Sequence, residues 1–361
     1  MTATGVLWDP VYLQHVTDEG HPDHPRRLEP LYRLLDDAAL NSRFIAVRPV
    51  MATDEEILLV HSPAYLAQVK ATAGRGASSL SADTLTCALS YRTAALAVGG
   101  TVEAVRQVVD GSLDHALVLA RPPGHHAERT RAMGYCIFNN VAVGAMAARS
   151  RMGLNRVMVV DWDLHHGNGT QHVFERDPSV FFFSPHQFPH DPGTGHFTET
   201  GLGPGEGTTM NVPLIRGLGD AEFTAIYRRL LIPVALGFRP DLILVSAGFD
   251  IHADDPLGGM RVTPEGFAGL TRLVLEVARQ ICRGRVVFCL EGGYHPGALT
   301  ESVTAMIDEL TDRTRTDVDA MASRAEGSRL DALLERCIHT QRRFWKELDG
   351  APPRRCTAPA V

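Results

Sequence analysis

Residues 156–171 read RVMVVDWDLHHGNGTQ, a β-branched apolar run that passes into alternating acid, aromatic and histidine. The span from Arg156 to Asp161 reads as a buried strand, because a short apolar run without polar alternation fits a sheet covered on both faces. Past the run, alternate side chains of an extended strand end share a face. Asp161, Asp163 and His165 therefore point together, while Trp162 and Leu164 point away. Two carboxylates and an imidazole make a poor core but a good nest for a divalent cation, and mixed oxygen and nitrogen donors suit zinc or another first-row metal better than calcium. The plainer alternative is a strand-end turn with solvated charges.

Working outward, four more apolar runs read as strands: His115 to Arg121, Val180 to Ser184, Pro240 to Ala247 and Arg285 to Leu290. Helical spacing fills the gaps, over Leu89 to Val109, Asn139 to Met152, Ala221 to Leu236, Glu265 to Cys282 and Leu299 to Leu310. Strands alternating with helices predict an α/β fold, a single domain with a mostly parallel central sheet flanked by helices on both faces. Ser328 to Leu348 reads as a last amphipathic helix capped by Ser328, so the domain is expected over 1–349 with a frayed tail at 350–361.

The polar clusters follow the strands. Pro122 to His126, Asp161 to Asn168, Ser184 to Gly207, Gly248 to Asp255 and Glu291 to Tyr294 each sit just past one. Ligands of open parallel sheets bind outside the carboxyl ends of the strands, so these clusters are expected to converge on one crevice. Asp250 ends its strand, where an aspartate alone is most often a cap or turn residue. Joined to Asp163 and His165, it would complete three ligands and leave a position open for water, the mark of a catalytic zinc site. Adjacent His125 and His126, on a turn stiffened by prolines, are placed to move protons beside that water, or to form a second metal site. Tyr294, after paired glycines, can donate to a developing oxyanion; a buried aromatic with a satisfied hydroxyl is the alternative.

Composition narrows the function. No apolar run reaches membrane-spanning length, and the first ten residues carry no basic-then-apolar pattern, so a cytoplasmic protein is expected. The six cysteines are scattered without a CxxC pair, against a zinc ribbon or a disulfide framework. A net charge of −7 with no long basic run argues against nucleic acid. Nine of the 16 histidines fall between His115 and His196, a concentration that points to the same crevice. A GxSxG elbow is absent, which removes that serine-hydrolase arrangement. The Gly- and Pro-rich stretch from Ser184 to Gly207 reads as a rim loop or a subunit contact, compatible with a homo-oligomer.

Taken in order, RPPGHHA (121–127), GYC (134–136), DWDLHHGNGTQ (161–171), AGFDIHADDPLGG (247–259) and EGGY (291–294) resemble the histone deacetylase superfamily, including its bacterial class II-like amidohydrolases and acetylpolyamine amidohydrolases. The resemblance runs from about His21 to Tyr294 and implies an arginase/deacetylase-like fold. It implies one zinc on Asp163, His165 and Asp250, with Asp161 hydrogen-bonded to His125. His126 would be the general base, His125 an electrostatic partner or acid, and Tyr294 the carbonyl polariser. Asn168 would back His126 where some relatives carry aspartate, as in the class II branch. A structural potassium ion is implied at Asp161, Asp163, His165 and Ser184.

The resemblance also places Gly134 and Tyr135 on an acyl-lysine tunnel, Asp83 at the rim against the substrate backbone, and Leu257 at the tunnel mouth. Polyamine-selective relatives can carry an acid at that last position, so leucine leans towards acyl-lysine or a simple acyl-amine. Relatives usually put an aromatic just before Pro-Gly-Thr-Gly, where this chain has Asp191; Phe188 or His190 is then expected to fill in, or the tunnel is wider and more acidic. The implied reaction is zinc-dependent removal of acetyl or another short acyl group from lysine or a similar primary amine. Its rivals are an acetylpolyamine amidohydrolase, an arginase-like ureohydrolase and a silent acyl-lysine binding module.

Overall fold

The computed structural model describes residues 2–325 and 330–349. Its frame is one eight-stranded sheet: β1 (Thr4–Leu7), β2 (Ile45–Val47), β3 (His115–Val118), β4 (Val157–Asp161), β5 (Val180–Gln187), β6 (Thr209–Leu214), β7 (Leu242–Ala247) and β8 (Val286–Leu290). The order across the sheet is β2-β1-β3-β8-β7-β4-β5-β6, and every neighbouring pair is parallel.

All five expected strands are present, β3 ending three residues earlier than expected and β5 running three further. Three more were not foreseen. β1 and β2 are only four and three residues long, too short for periodicity to register. β6 contains Pro213, which an interior strand would reject; β6 is the sheet edge, where the missing N–H faces no partner.

The strands are buried on both faces, and their alternation shows what covers them. Phe288 packs its ring 5.8 Å from Trp162, which in turn lies 6.5 Å from Phe267 of the helix Pro264–Ile281. The next residue, Cys289, turns to the opposite face and meets Thr101 of the helix Ser90–Asp110. On that second face the helix Asn140–Met152 presents Gly144, whose missing Cβ admits both Thr101 and Leu244 of β7. Helices thus cover both sides, as expected.

Helix limits follow local chemistry. Asn139 caps Asn140–Met152 by accepting from Ala142 N, and Thr263 caps Pro264–Ile281 by accepting from Gly266 N. The continuous helix expected over Ala221 to Leu236 is instead Asp220–Ile226, a π turn at Tyr227–Leu231 and Ile232–Phe238. Pro233, which has no N–H to give the preceding turn, lies just after the π segment. The last helix, Asp331–Gln341, stops short of Leu348, which lies in a separate 3-10 turn. The expected cap Ser328 and the tail from Gly350 fall outside the described residues. Among the described residues no helix is long and apolar enough to cross a membrane.

Candidate active site

The carboxyl ends of β3, β4, β7 and β8 lie side by side and deliver the expected clusters to one place. Trp162 N donates to Ser246 O at 3.1 Å, so β4 stays paired with β7 past its last residue. Donor atoms of Asp163, His165 and Asp250 then lie within 4.8 Å of one another. His165 Nδ1 is 3.1 Å from Asp163 Oδ1 and 3.0 Å from Asp250 Oδ2. Zinc bonds to oxygen and nitrogen of about 2.0–2.2 Å set donor spacings of about 3.3 Å in a tetrahedron, so the three atoms fit one small cation.

The remaining carboxylate oxygens are held by main chain. Leu164 N donates to Asp250 Oδ1 at 2.9 Å, and Gly292 N donates to Asp163 Oδ2 at 2.8 Å. Glycine is needed at 292, because a Cβ there would lie 2.4 Å from Asp250 Oδ2 and 2.7 Å from Asp163 Oδ2. Burial and the charge of Asp163 push the Asp250 carboxyl up to about 7. Burial opposes the His165 cation, but its bonds to Asp163 and Asp250 outweigh that and lift it to about 10. The raised Asp250 pKa reflects two buried acids competing for one imidazolium, a demand for positive charge that a divalent cation would meet.

The histidine pair divides its roles by environment. His125 Nδ1 lies 3.0 Å from Asp161 Oδ2, and its Nε2 lies 3.8 Å from Asp163 Oδ1. Burial disfavours its cation, yet Asp161 and Asp163 push its pKa well above the ordinary value. His126, with its ring 4.0 Å away, meets Asn168 Oδ1 through Nδ1 at 2.7 Å. Burial, reinforced by the charges of His125 and His165, pushes His126 well below the usual imidazole range. One imidazole is set up as a cation and its neighbour as a neutral base.

The turn bearing both histidines is pinned by Glu291, at the end of β8. Gly124 N and His125 N donate to Glu291 Oε2 at 2.6 and 3.1 Å, and Ser246 Oγ donates to Oε1 at 3.1 Å. A second donor group, His125, Cys136 and Glu291, also falls within 4.8 Å. Its carboxylate is engaged by these donors, and burial holds the Cys136 thiol well above its ordinary pKa, so the group makes a poor second metal site.

The walls come from loops. Gly134 has φ +56°, and a Cβ there would lie 2.2 Å from His126 Cδ2, so only glycine suits. Tyr135 is also left-handed, at φ 67°, which costs about 1–2 kcal/mol in a residue with a Cβ. That backbone places its ring edge-on to Tyr294 at 6.0 Å and to His21 at 4.6 Å. Asp83, exposed at the rim, accepts from Gly134 N at 2.9 Å and holds the strained pair. Tyr294 N donates to Asp255 Oδ2 at 2.6 Å, and Leu257 N donates to Oδ1 of the same carboxylate at 3.0 Å. Burial and Asp250 raise the Tyr294 phenol well above its ordinary pKa, keeping it a hydroxyl donor.

In the 188–208 loop, His190 is the residue brought to the Asp163–His165–Asp250 set: it stacks on His165 at 5.0 Å. Phe188 turns instead towards His196, 6.2 Å away, and Asp191 is exposed. Ser184 is buried, its Oγ 3.0 Å from His186 Nδ1.

Four residues of the site were given no role from sequence: Glu291, Asp255, Arg27 and Asp23. The Arg27 guanidinium lies 5.2 Å from the centre of the Tyr294 ring, and its Nε donates to Gly293 O at 2.9 Å. Arg27 and Arg121 grip the fully buried Asp23 at 2.8 and 2.9 Å. The available signal was an aspartate and paired arginines set among prolines in HPDHPRR, residues 21–27.

An all-parallel sheet that brings a carboxylate–imidazole–carboxylate set and a histidine pair to its carboxyl edge defines an α/β protein with a candidate metal-dependent hydrolytic centre. The chain belongs to the histone deacetylase family: the family model "Histone deacetylase domain" matches residues 21–310. It is 41% identical over 322 residues to human "Polyamine deacetylase HDAC10", covering 86% of this chain and 46% of that protein. It is 38% identical over 327 residues to Arabidopsis thaliana "Histone deacetylase 5", covering 85% and 48%. Among solved structures, the HD domain of HDA15 superposes with a TM-score of 0.88 at 33% identity, covering 97% of both chains. The chain thus spans about half the length of these two curated relatives.

Proposed function

We propose that the protein is a zinc-dependent amidohydrolase that removes acetyl or other short acyl groups from lysine side chains or similar primary amines. The observation that carries this reading is the close set of Asp163, His165 and Asp250 donors beside a histidine pair, His125 bonded to Asp161 and His126 to Asn168. Zinc bound there would supply Lewis acidity towards the amide carbonyl and the attacking water. The rest belongs to the chain's own residues. His126 takes the proton from the attacking water, with its Nδ1 side anchored on Asn168. His125, held cationic by Asp161, balances the negative charge that develops. Tyr294 donates its hydroxyl hydrogen to the carbonyl oxygen as that charge grows. The imidazolium formed at His126 returns its proton to the leaving amine, which would otherwise depart as an unstable anion.

Tyr135 and His190 flank the acyl stem, and Gly134, Asp83 and Leu257 shape its entry. Potassium at Asp161, Asp163, His165 and Ser184 is part of the same reading. Its support is register: Phe183 pairs with Val160, which sets buried Ser184 beside Asp161. A second reading, an acetylpolyamine amidohydrolase, is favoured by exposed Asp191 beside His190, a carboxylate able to meet a second cationic centre. Turnover of acetyl-lysine peptide, acetylputrescine and acetylspermidine, with metal content measured on the same sample, tests both. Release of acetate from the peptide at the higher kcat/KM supports the first. Preference for the polyamines supports the second, and no release from any of the three rejects the hydrolase.

A further inference from the structure

The His126 base does not end its hydrogen bonding at Asn168. Asn168 Nδ2 donates to Glu128 Oε1 at 2.8 Å, and His172 Nδ1 lies 2.8 Å from that same oxygen. Asn168 and His172 are four residues apart on the helix Asn168–Phe174, hence on one face, and both reach a single carboxylate. Glu128 is fixed in turn by its backbone, with its N–H on Arg131 O at 3.0 Å and its carbonyl 3.0 Å from His61 Nδ1. Arg131 adds charge at 3.7 Å. Glu128 and His172 together line a surface cleft of about 260 Å³, so the outer end of the chain meets solvent while His126 is buried.

An amide has two faces, and which one meets His126 decides the base. With Oδ1 towards the ring, Nδ1 must carry the hydrogen and Nε2 is left free to accept a proton. With Nδ2 towards the ring, Nδ1 becomes the acceptor, the hydrogen moves to Nε2, and the imidazole cannot serve as a base there. Asn168 alone has no means of choosing. An ionised carboxylate only accepts, so on the far side it compels Nδ2 outward and Oδ1 inward. Partial burial pushes the Glu128 carboxyl up, but hydrogen bonds and charge from His172, the Asn168 amide and Arg131 outweigh it and keep its pKa below the usual range.

We propose that Glu128, braced by His172, is a positioning residue that sets the orientation of the Asn168 amide and thereby the proton-accepting tautomer of His126. This rests on the hydrolase reading for its consequence, though not for its geometry. The amide cannot pass a proton along, so the chain transmits orientation only.

The test combines turnover with ring-nitrogen NMR. Glu128→Ala frees the amide to turn and is expected to lower kcat by about 10- to 100-fold with KM within about 2-fold, less than the roughly 10⁴-fold loss when a wrong tautomer is enforced. Glu128→Gln keeps an acceptor oxygen that His172 can hold towards Asn168 Nδ2 but no longer forbids the flipped amide, so its kcat should fall between those of the unmutated protein and Glu128→Ala. In protein labelled with ¹⁵N-histidine, two-bond ¹H–¹⁵N correlations should show His126 protonated at Nδ1 and bare at Nε2. In Glu128→Ala they should show a mixture. The proposal is overturned by an Nε2–H tautomer in the unmutated protein, by unchanged kcat in Glu128→Ala, or by equal losses in the alanine and glutamine variants. If Glu128→Ala does not fold, the unmutated protein and Glu128→Gln decide it by the same two readouts. If the unmutated protein hydrolyses nothing, the enzymatic reading fails, and the nitrogen spectra still report on the relay.

Discussion

The floor of the crevice and its rim are built by opposite rules. On the floor, Asp163, Asp250, Asp161 and Glu291 are wholly buried, and their oxygens are held by backbone N–H groups or by neighbouring side chains. Strand ends locked in register supply them. At the rim, Asp83, Tyr135, the adjacent His190 and Asp191, and Leu257 come from four loops and are partly or fully exposed. The floor has one arrangement because a misplaced buried charge costs several kcal/mol, whereas the rim can vary at little cost. On the proposed hydrolase reading, the sheet would therefore fix the chemistry and the loops would choose the substrate.

That contrast predicts where substitutions act. The largest effects belong to the groups that face the floor. Tyr294→Phe removes the oxyanion donor and should lower kcat by about two to three orders of magnitude, with His126→Ala comparably damaging. Steady-state kinetics on an acetyl-lysine peptide check this, and a kcat within a few-fold of the parent would remove either residue from its role. Gly134→Ala lies where wall meets floor. Its new methyl would press on His126, and a base displaced by about 1 Å is expected to cost about 100-fold in rate. An unaffected rate would show that the close packing at His126 is not needed.

Asp23, behind Tyr294, sharpens the comparison through stability. Its carboxyl is buried, but Arg121 and Arg27 pull its pKa from 3.8 to about 2. A depressed pKa favours the fold fully above the unfolded value and loses that contribution as pH falls through the folded one. On the order of 2 kcal/mol is therefore expected to disappear between about pH 4 and 2. Urea melts across that window should show the decline in the parent and a shallower one in Asp23→Asn.

The rim carries the smallest effects. His190→Phe and Asp191→Asn should change the ratio of acetyl-lysine to acetylpolyamine kcat/KM by less than about 10-fold, mostly through KM. A loss of two orders of magnitude in kcat from either would erase the distinction between floor and rim.

The legibility of the sequence follows the same division. Asp163 and His165 could be read because they follow an apolar strand whose alternation fixes which way side chains face. Asp250 and the histidine pair were legible as polar clusters past strands, and Asn168 only through the family resemblance. β1 and β2 are too short to show a period, and Pro213 disguised an edge strand. Glu291 was visible only as the residue before two glycines, and its hold on the Gly124 and His125 backbone is a contact across 167 positions of chain. Loop residues gave the weakest guidance. Sequence left Phe188, His190 and Asp191 as contenders for one place, and the 188–208 loop brings His190 against His165 while Phe188 faces His196. Such choices depend on loop closure, which no local pattern records.

Metal stoichiometry is the most direct test of the central claim, that Asp163, His165 and Asp250 close around one ion. Zinc content of protein purified without chelator, compared with that of Asp250→Asn, should read about one equivalent per chain in the parent and a small fraction of that in the variant. Equal zinc in both proteins, or two equivalents in the parent, would contradict it.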